Sequence, residues 1–212
     1  MICRKLSTMT VIGLTALGAA AAHADERLPT IPPAQYSAEQ KQAAVEFEAA
    51  RKTAVFGPFE PMMHSPQLMS DARAMGDYLR FKSSIGNTLS ELAILMTARE
   101  WTQNFEWSYH YPIAIKAGLR QELVDAIAVD KRPTGMTPDE EIVYNFTHEL
   151  LKKKQVSDAT FERAKARFGT KGVVDMAGIS GYYTFLAMQL NMANYQTVVK
   201  DGKPLPPLTP AR

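Results

Sequence analysis

The sequence predicts an all-α fold of seven or eight helices, on three observations. Helix-start chemistry recurs along the chain: the capping boxes Ser37-x-x-Gln40 and Thr137-x-x-Glu140, the Ser65-Pro66 pair and Ser157. Apolar residues return at helical spacing, as in Leu68, Met69, Ala72, Met75 and Leu79. No segment sustains period-two alternation, and no hairpin turn sits between β-branched runs. With 212 residues, 46% hydrophobic and 22% charged, the chain has the composition and length of one globular domain.

The first 24 residues stand apart. Arg4 and Lys5 precede an apolar run from Val11 to Ala22, and Ala22-His23-Ala24 is a cleavage pattern, so residues 1–24 read as a signal peptide cut after Ala24. The run is shorter than the ~20 residues of a spanning helix. The expectation is a periplasmic or secreted protein with no stable membrane insertion after cleavage. Removing Arg4 and Lys5 leaves 22 basic against 22 acidic residues, and no basic patch interleaves with aromatics, so no nucleic-acid partner is expected. Cleavage also removes Cys3, the one cysteine, and with it any disulfide or thiolate nucleophile.

Residues 25–36, with Pro29, Pro32 and Pro33, read as an extended arm packed on the surface or on a neighbouring subunit. A helical domain over 37–197 follows. Its first helix runs from Ala38 to about Lys52; Gly57, Pro58 and Pro61 then enforce a loop, and Ser65-Pro66 opens a helix to about Phe81. Gly86 and Asn87 precede an apolar helical stretch from Thr88 to Leu119, with Gly118 as its C-cap and Pro112 kinking or restarting it. Gln121 to Asp130 reads as a short helix. The Thr137 helix reaches Lys154, where Lys152, Lys153 and Lys154 suit a solvated C-terminus. Ser157 starts a helix broken by Gly169, and Lys171 to Tyr195 forms a long apolar helix in which Gly178 and Gly181 permit close contact. Residues 198–212 form a Pro-rich tail.

Candidate chemistry concentrates between Thr88 and Leu119. Glu91 lies on an apolar helix face, where desolvation would raise its pKa toward a general base; equally, Thr88-x-x-Glu91 is a capping box that would occupy it locally. Glu106 and His110, four apart, lie one above the other on a helix, with Gln103 on the same face. A carboxylate beside an imidazole is either an acid/base couple or a surface ion pair. Trp107 and Tyr109 suggest a pocket wall, and Arg80 and Arg99 are forks for an anionic substrate or partners in ion pairs. Glu91, Glu106 and His110 would make a three-ligand metal set, but no second histidine lies at useful spacing, and no metal or other cofactor is expected.

The segment SELAILMTAREWTQNFEWSYHYPIAIKAGL resembles the signature of the carboxymuconolactone decarboxylase family, within the alkylhydroperoxidase-like superfamily. The resemblance extends from SPQLMSDARAMGDYLRF before it through GISGYYTFLAMQLN after it, covering most of residues 56–195. In the thiol-active branch a glutamate is followed, after eleven residues, by C-x-x-C-x-x-x-H. Glu91 and His110 fall on the glutamate and histidine, whereas Gln103 and Glu106 occupy the cysteine positions. A disulfide-cycling peroxidase needs a thiolate, so that activity is disfavoured. The resemblance implies an alkylhydroperoxidase-like helical bundle, assembled as a homo-oligomer (trimer or hexamer) with its pocket near a subunit interface. It also implies cofactor-independent work on a small organic acid or lactone, as a decarboxylase (lyase) or isomerase, with Glu91, Glu106 and His110 as the catalytic set. The alternative is a non-catalytic ligand-binding or assembly protein on the same fold.

Overall fold

A computed structural model describes residues 26–208. The expected signal peptide, with Cys3, lies outside the described residues, as does the end of the tail. Among the described residues there are eight α-helices and no strand: α1 (Ala38–Arg51), α2 (Phe59–Met62), α3 (Pro66–Phe81), α4 (Asn87–Glu100), α5 (Asn104–Lys116), α6 (Gln121–Ala128), α7 (Pro138–His148) and α8 (Asp158–Ala193). None of them is long and apolar enough to cross a membrane.

The helix starts follow their side chains. Ser37 with Gln40 and Thr137 with Glu140 form complete capping boxes, and the Ser157 side chain accepts from the Thr160 amide. Between α1 and α3, the expected loop contains a single helical turn, α2, which buries Phe59 and Met62.

Helix α4 is the axis of the bundle. It packs against α5, α6, α7 and α8, and every residue from Ser90 to Arg99 is buried. A helix without a polar face is stable only when surrounded in this way. Its start corrects the capping expectation: Gly86 (φ +81°) is the N-cap, and the Thr88 hydroxyl donates to the Ala117 carbonyl at the far end of α5 (2.5 Å). Glu91 is therefore free of a capping role. The chain turns between α4 and α5 at Thr102 (φ +48°), and α5 continues through Pro112 to Lys116. The turn that separates the two helices lies at 101–103 and not at the proline.

Past α7, a π-helical turn over Glu149–Lys153 replaces the expected regular helix end, and Lys152 pairs with Glu100 (2.6 Å) and Asp130 (3.1 Å). Gly169 (φ 68°, ψ 175°) breaks the helical path of α8 where the sequence expects a break. At Gly178 a Cβ would meet Leu79 at 3.0 Å, so this glycine admits α3 closely, whereas Gly181 faces open space. Asp175 ties the loop after α3 to α8, accepting from the Ser84 amide (2.8 Å), the Ser84 hydroxyl (2.7 Å) and Lys171 (2.7 Å).

Both ends of the described residues are docked. The Arg27 amide donates to the Ala193 carbonyl (2.8 Å), placing the arm on the end of α8 of the same chain. The tail lies along α5 as a strap: Val199 N donates to Ser108 Oγ (3.1 Å), Leu205 N to Asn104 Oδ1 (3.1 Å), and Arg99 Nη1 to the Pro206 carbonyl (2.9 Å).

Candidate active site

The first turns of α4 and the middle of α5 run side by side, which sets Glu91 against His110 across nineteen residues of chain. His110 Nδ1 lies 2.7 Å from Glu91 Oε2, and its Nε2 lies 3.6 Å from Glu106 Oε2 one turn back on α5. Glu91 is 0%, Glu106 1% and His110 2% exposed. One imidazole thus stands between two carboxyl groups in a water-poor interior. Arg80 of α3 reaches in from the rim, its Nε 4.0 Å from Glu91 Oε1, and stacks over the Tyr109 ring at 5.3 Å.

Burial decides the charges. Desolvation pushes Glu106 up to about 8, a rise that Arg80 opposes and Glu91 reinforces, so Glu106 holds its proton at neutral pH. Desolvation also lowers His110, and Arg80 and Arg51 add to this, against the pull of Glu91. The neutral ring is assigned its proton on Nδ1, where Glu91 accepts it, which leaves the Nε2 lone pair facing Glu106. Arg80 is also desolvated, yet Tyr183, Glu91 and Tyr109 together more than offset this and keep it cationic.

Glu91 Oε1 and Glu106 Oε1 are buried without a protein hydrogen-bond partner. Glu106 and His110 line a small cavity, walled by Arg80, Tyr109, Phe105, Tyr182, Tyr183 and Leu186 and roofed by Arg51, Phe56, Pro58 and Phe59. Its clear space takes a water or two. A larger ligand enters only as the roof moves. Gly57 (φ +56°) lets the roof approach, because a Cβ there would overlap the Phe105 ring.

Three residues expected at the substrate stand elsewhere. Gln103 is the N-cap of α5: its Oε1 accepts from Phe105 N (2.6 Å) and its Nε2 donates to Asn191 Oδ1 and the Tyr195 carbonyl (3.0 Å each). Its oxygen caps α5, and both its amide hydrogens are used in joining α5 to the end of α8. Trp107 is fully buried in the core on the other side of α5 from the cavity lining. Arg99 donates to the Ala128 and Pro206 carbonyls and to Thr102, beside a separate hollow at the C-terminal end of α4. The cavity does hold four of the residues singled out in the sequence: Glu106, His110, Tyr109 and Arg80; Glu91 backs His110 from behind. It adds Arg51, Tyr182 and Tyr183, which no local motif marks. Among the described residues no group of three or more His, Cys, Asp or Glu side chains is disposed to hold a metal. Both ring nitrogens of His110 are turned to carboxyl groups, Nδ1 in hydrogen-bond contact and Nε2 at 3.6 Å.

No family model and no curated protein matches the chain in sequence. In structure it is similar to an uncharacterized peroxidase-related protein from Ralstonia eutropha JMP134, described as an alkylhydroperoxidase AhpD core. The TM-score is 0.67 at 17% identity, over 84% of this chain and 95% of that one. At that identity the likeness is one of fold, and the fold is the alkylhydroperoxidase-like helical bundle.

Proposed function

We propose that the protein is an acid/base enzyme of the carboxymuconolactone decarboxylase type, acting without a cofactor on a small organic acid or lactone. The observation that carries this reading is the buried sequence Glu91, His110, Glu106, with the protonated carboxyl of Glu106 presented to a cavity that Arg80 also lines. An acid whose pKa lies near the working pH is suited both to give and to recover a proton.

For a β-keto acid, Arg80 receives the substrate carboxylate. The bond from the α-carbon to the carboxylate breaks, carbon dioxide leaves, and the electron pair forms an enolate. Glu106 gives its proton to the carbon, and the Glu106 carboxylate then recovers one from water by way of His110 Nε2; the hydroxide left behind combines with the released carbon dioxide as bicarbonate. Glu91 holds the ring by Nδ1 and offsets the positive charge that His110 gains in transit. For a lactone, removal and return of a proton next to the carbonyl uses the same groups. With Gln103 and Glu106 in place of two cysteines, thiol peroxidase chemistry has no nucleophile here.

Turnover of acetoacetate and of unsaturated γ-lactones by the protein and by His110→Asn is the test. The expected loss is roughly 10²- to 10⁴-fold in kcat, and equal turnover by the variant would overturn the assignment. The second reading is a ligand-holding protein on the same fold. It is distinguished by thermal stabilisation with these compounds in the absence of any turnover.

Export and assembly belong to the same proposal. Mass spectrometry of the mature protein is expected to find Asp25 at the N-terminus. A trimer or hexamer is proposed from the apolar surface left on α3 and α8, where Phe81 is 62% and Val174 64% exposed and Met188 and Met192 are about half exposed. A monomer in sedimentation at micromolar concentration would remove that part of the reading.

A further inference from the structure

Tyr182 of α8 stands in the cavity wall with its hydroxyl unused. The residue is 3% exposed, and its Oη has no protein hydrogen-bond partner. A buried phenol ordinarily finds one. Its neighbour Tyr183 lies edge-on against His110, with ring centroids 5.1 Å apart, so this stretch of α8 forms the wall opposite the acid/base pair.

The chain also makes room for this hydroxyl. Gly76 sits inside α3, a helix position where glycine is unfavourable relative to alanine. A Cβ at residue 76 would overlap Tyr182 Oη and come within 2.6 Å of its Cζ. Two costs, a glycine inside a helix and an unsatisfied buried phenol, thus fall at one point of the cavity. The glycine answers to the ring as well as the hydroxyl, since a Cβ would also crowd Cζ, but packing leaves the hydroxyl itself without a partner. That hydroxyl is satisfied when an oxygen of a bound molecule completes the hydrogen bond.

We propose that Tyr182 donates its hydroxyl hydrogen bond to the carbonyl oxygen of a bound keto acid whose carboxylate is held by Arg80. This rests on reading the cavity as the substrate site. Burial keeps the phenol protonated and therefore a donor, with Arg51 partly opposing the rise and Glu106 and Asp77 adding to it. As the enolate develops, the same bond strengthens, so Tyr182 stabilises the charge that Glu106 later quenches by protonating carbon. The ligand class follows: a short-chain keto acid with one carboxylate at one end and a carbonyl a few atoms away.

Levulinate (4-oxopentanoate) is the probe, because it carries both groups and has no β-keto carboxylate to lose. Labelled with ¹³C at the ketone, it is expected to bind the wild-type protein with its carbonyl resonance moved downfield by hydrogen bonding. Tyr182→Phe keeps the ring and removes the donor. It is expected to bind on the order of 10-fold more weakly, to lose the downfield shift, and to melt no lower than wild type. Gly76→Ala, which drives a methyl into the hydroxyl's place, is expected to lose the shift as well. An unchanged affinity and carbonyl shift in Tyr182→Phe would overturn the inference, and so would failure of the wild-type protein to bind levulinate. His110→Asn separates the two proposals: if it turns over acetoacetate normally, the acid/base reading falls, whereas the levulinate comparison still reports on Tyr182.

Discussion

At the scale of single residues, Glu106 and His110 make opposite demands on pH. Glu106 folded binds a proton up to about 8, whereas an ordinary glutamate releases it near 4.5. Between those values the folded state holds the extra proton, so this group's contribution is complete below 4.5 and lost as pH rises to about 8, at up to about 1.4 kcal/mol per pH unit. His110 is lowered, so the unfolded state takes up the proton first and stability falls as pH drops below 6.5. The two slopes oppose each other below 6.5, and Glu106 acts alone above it. Denaturant titrations are therefore expected to show stability falling between about pH 6.5 and 8, and Glu106→Gln is expected to abolish that fall. The same variant, unable to exchange a proton, is expected to lose roughly 10²-fold or more in kcat. A Glu106→Gln protein with full turnover would show that the proton comes from elsewhere. The pairing of Glu106 with His110 was legible as an i, i+4 spacing. The closer contact, His110 with Glu91, was reachable only through the resemblance, because on spacing alone it depends on how two helices lie together and its local alternative, a T-x-x-E cap, is an equally good sequence pattern.

Among the elements, the helix starts were readable wherever a side chain supplies the cap, as at Ser37, Thr137 and Ser157. They were misread where backbone does so: Gly86, with no side chain, is the N-cap of α4, and the α4–α5 turn is made by Thr102 in the left-handed region, a conformation uncommon for a β-branched residue. Pro112 looked like the breaker but sits in a helix whose neighbours hold it. Gly169 was the reverse, an evident break that the structure uses. Its φ of 68° with ψ of 175° is accessible essentially to glycine alone. Gly169→Ala is accordingly expected to cost about 1–3 kcal/mol, read as a lower denaturation midpoint with an unchanged m-value. A substitution without effect would mean that α8 straightens at no cost. The lysine run at the end of α7 was read as solvated, and Lys152, Lys153 and Lys154 are all exposed; Lys152 also pairs with Glu100 and Asp130. Which member of the run finds partners depends on the π-helical turn, which has no sequence signature of its own.

For the whole molecule, the all-α architecture followed from helix caps and missing alternation, and the alkylhydroperoxidase-like fold agrees with the resemblance carried by the α4–α5 segment. The remainder of the cavity was out of reach, since Arg51 comes from α1 and Tyr182 and Tyr183 come from α8, where two tyrosines among apolar residues look like any core. The strap adds a dependence between distant parts. Truncation after Lys200 removes the bonds from Leu205 to Asn104 and from Arg99 to Pro206. It is expected to lower the melting temperature by several degrees and to speed amide exchange in α5; equal exchange rates in the two proteins would show that α5 stands without the strap. The same geometry bears on how the protein is made. Asn104 leaves the ribosome 101 residues ahead of Leu205, and at roughly 5–20 residues per second the wait is about 5–20 s. Until α8 follows, the α4–α5 pair lacks the wall that Tyr182, Tyr183 and Leu186 supply, so the acidic centre closes only after α8 has been synthesised, and the strap locks α5 later still.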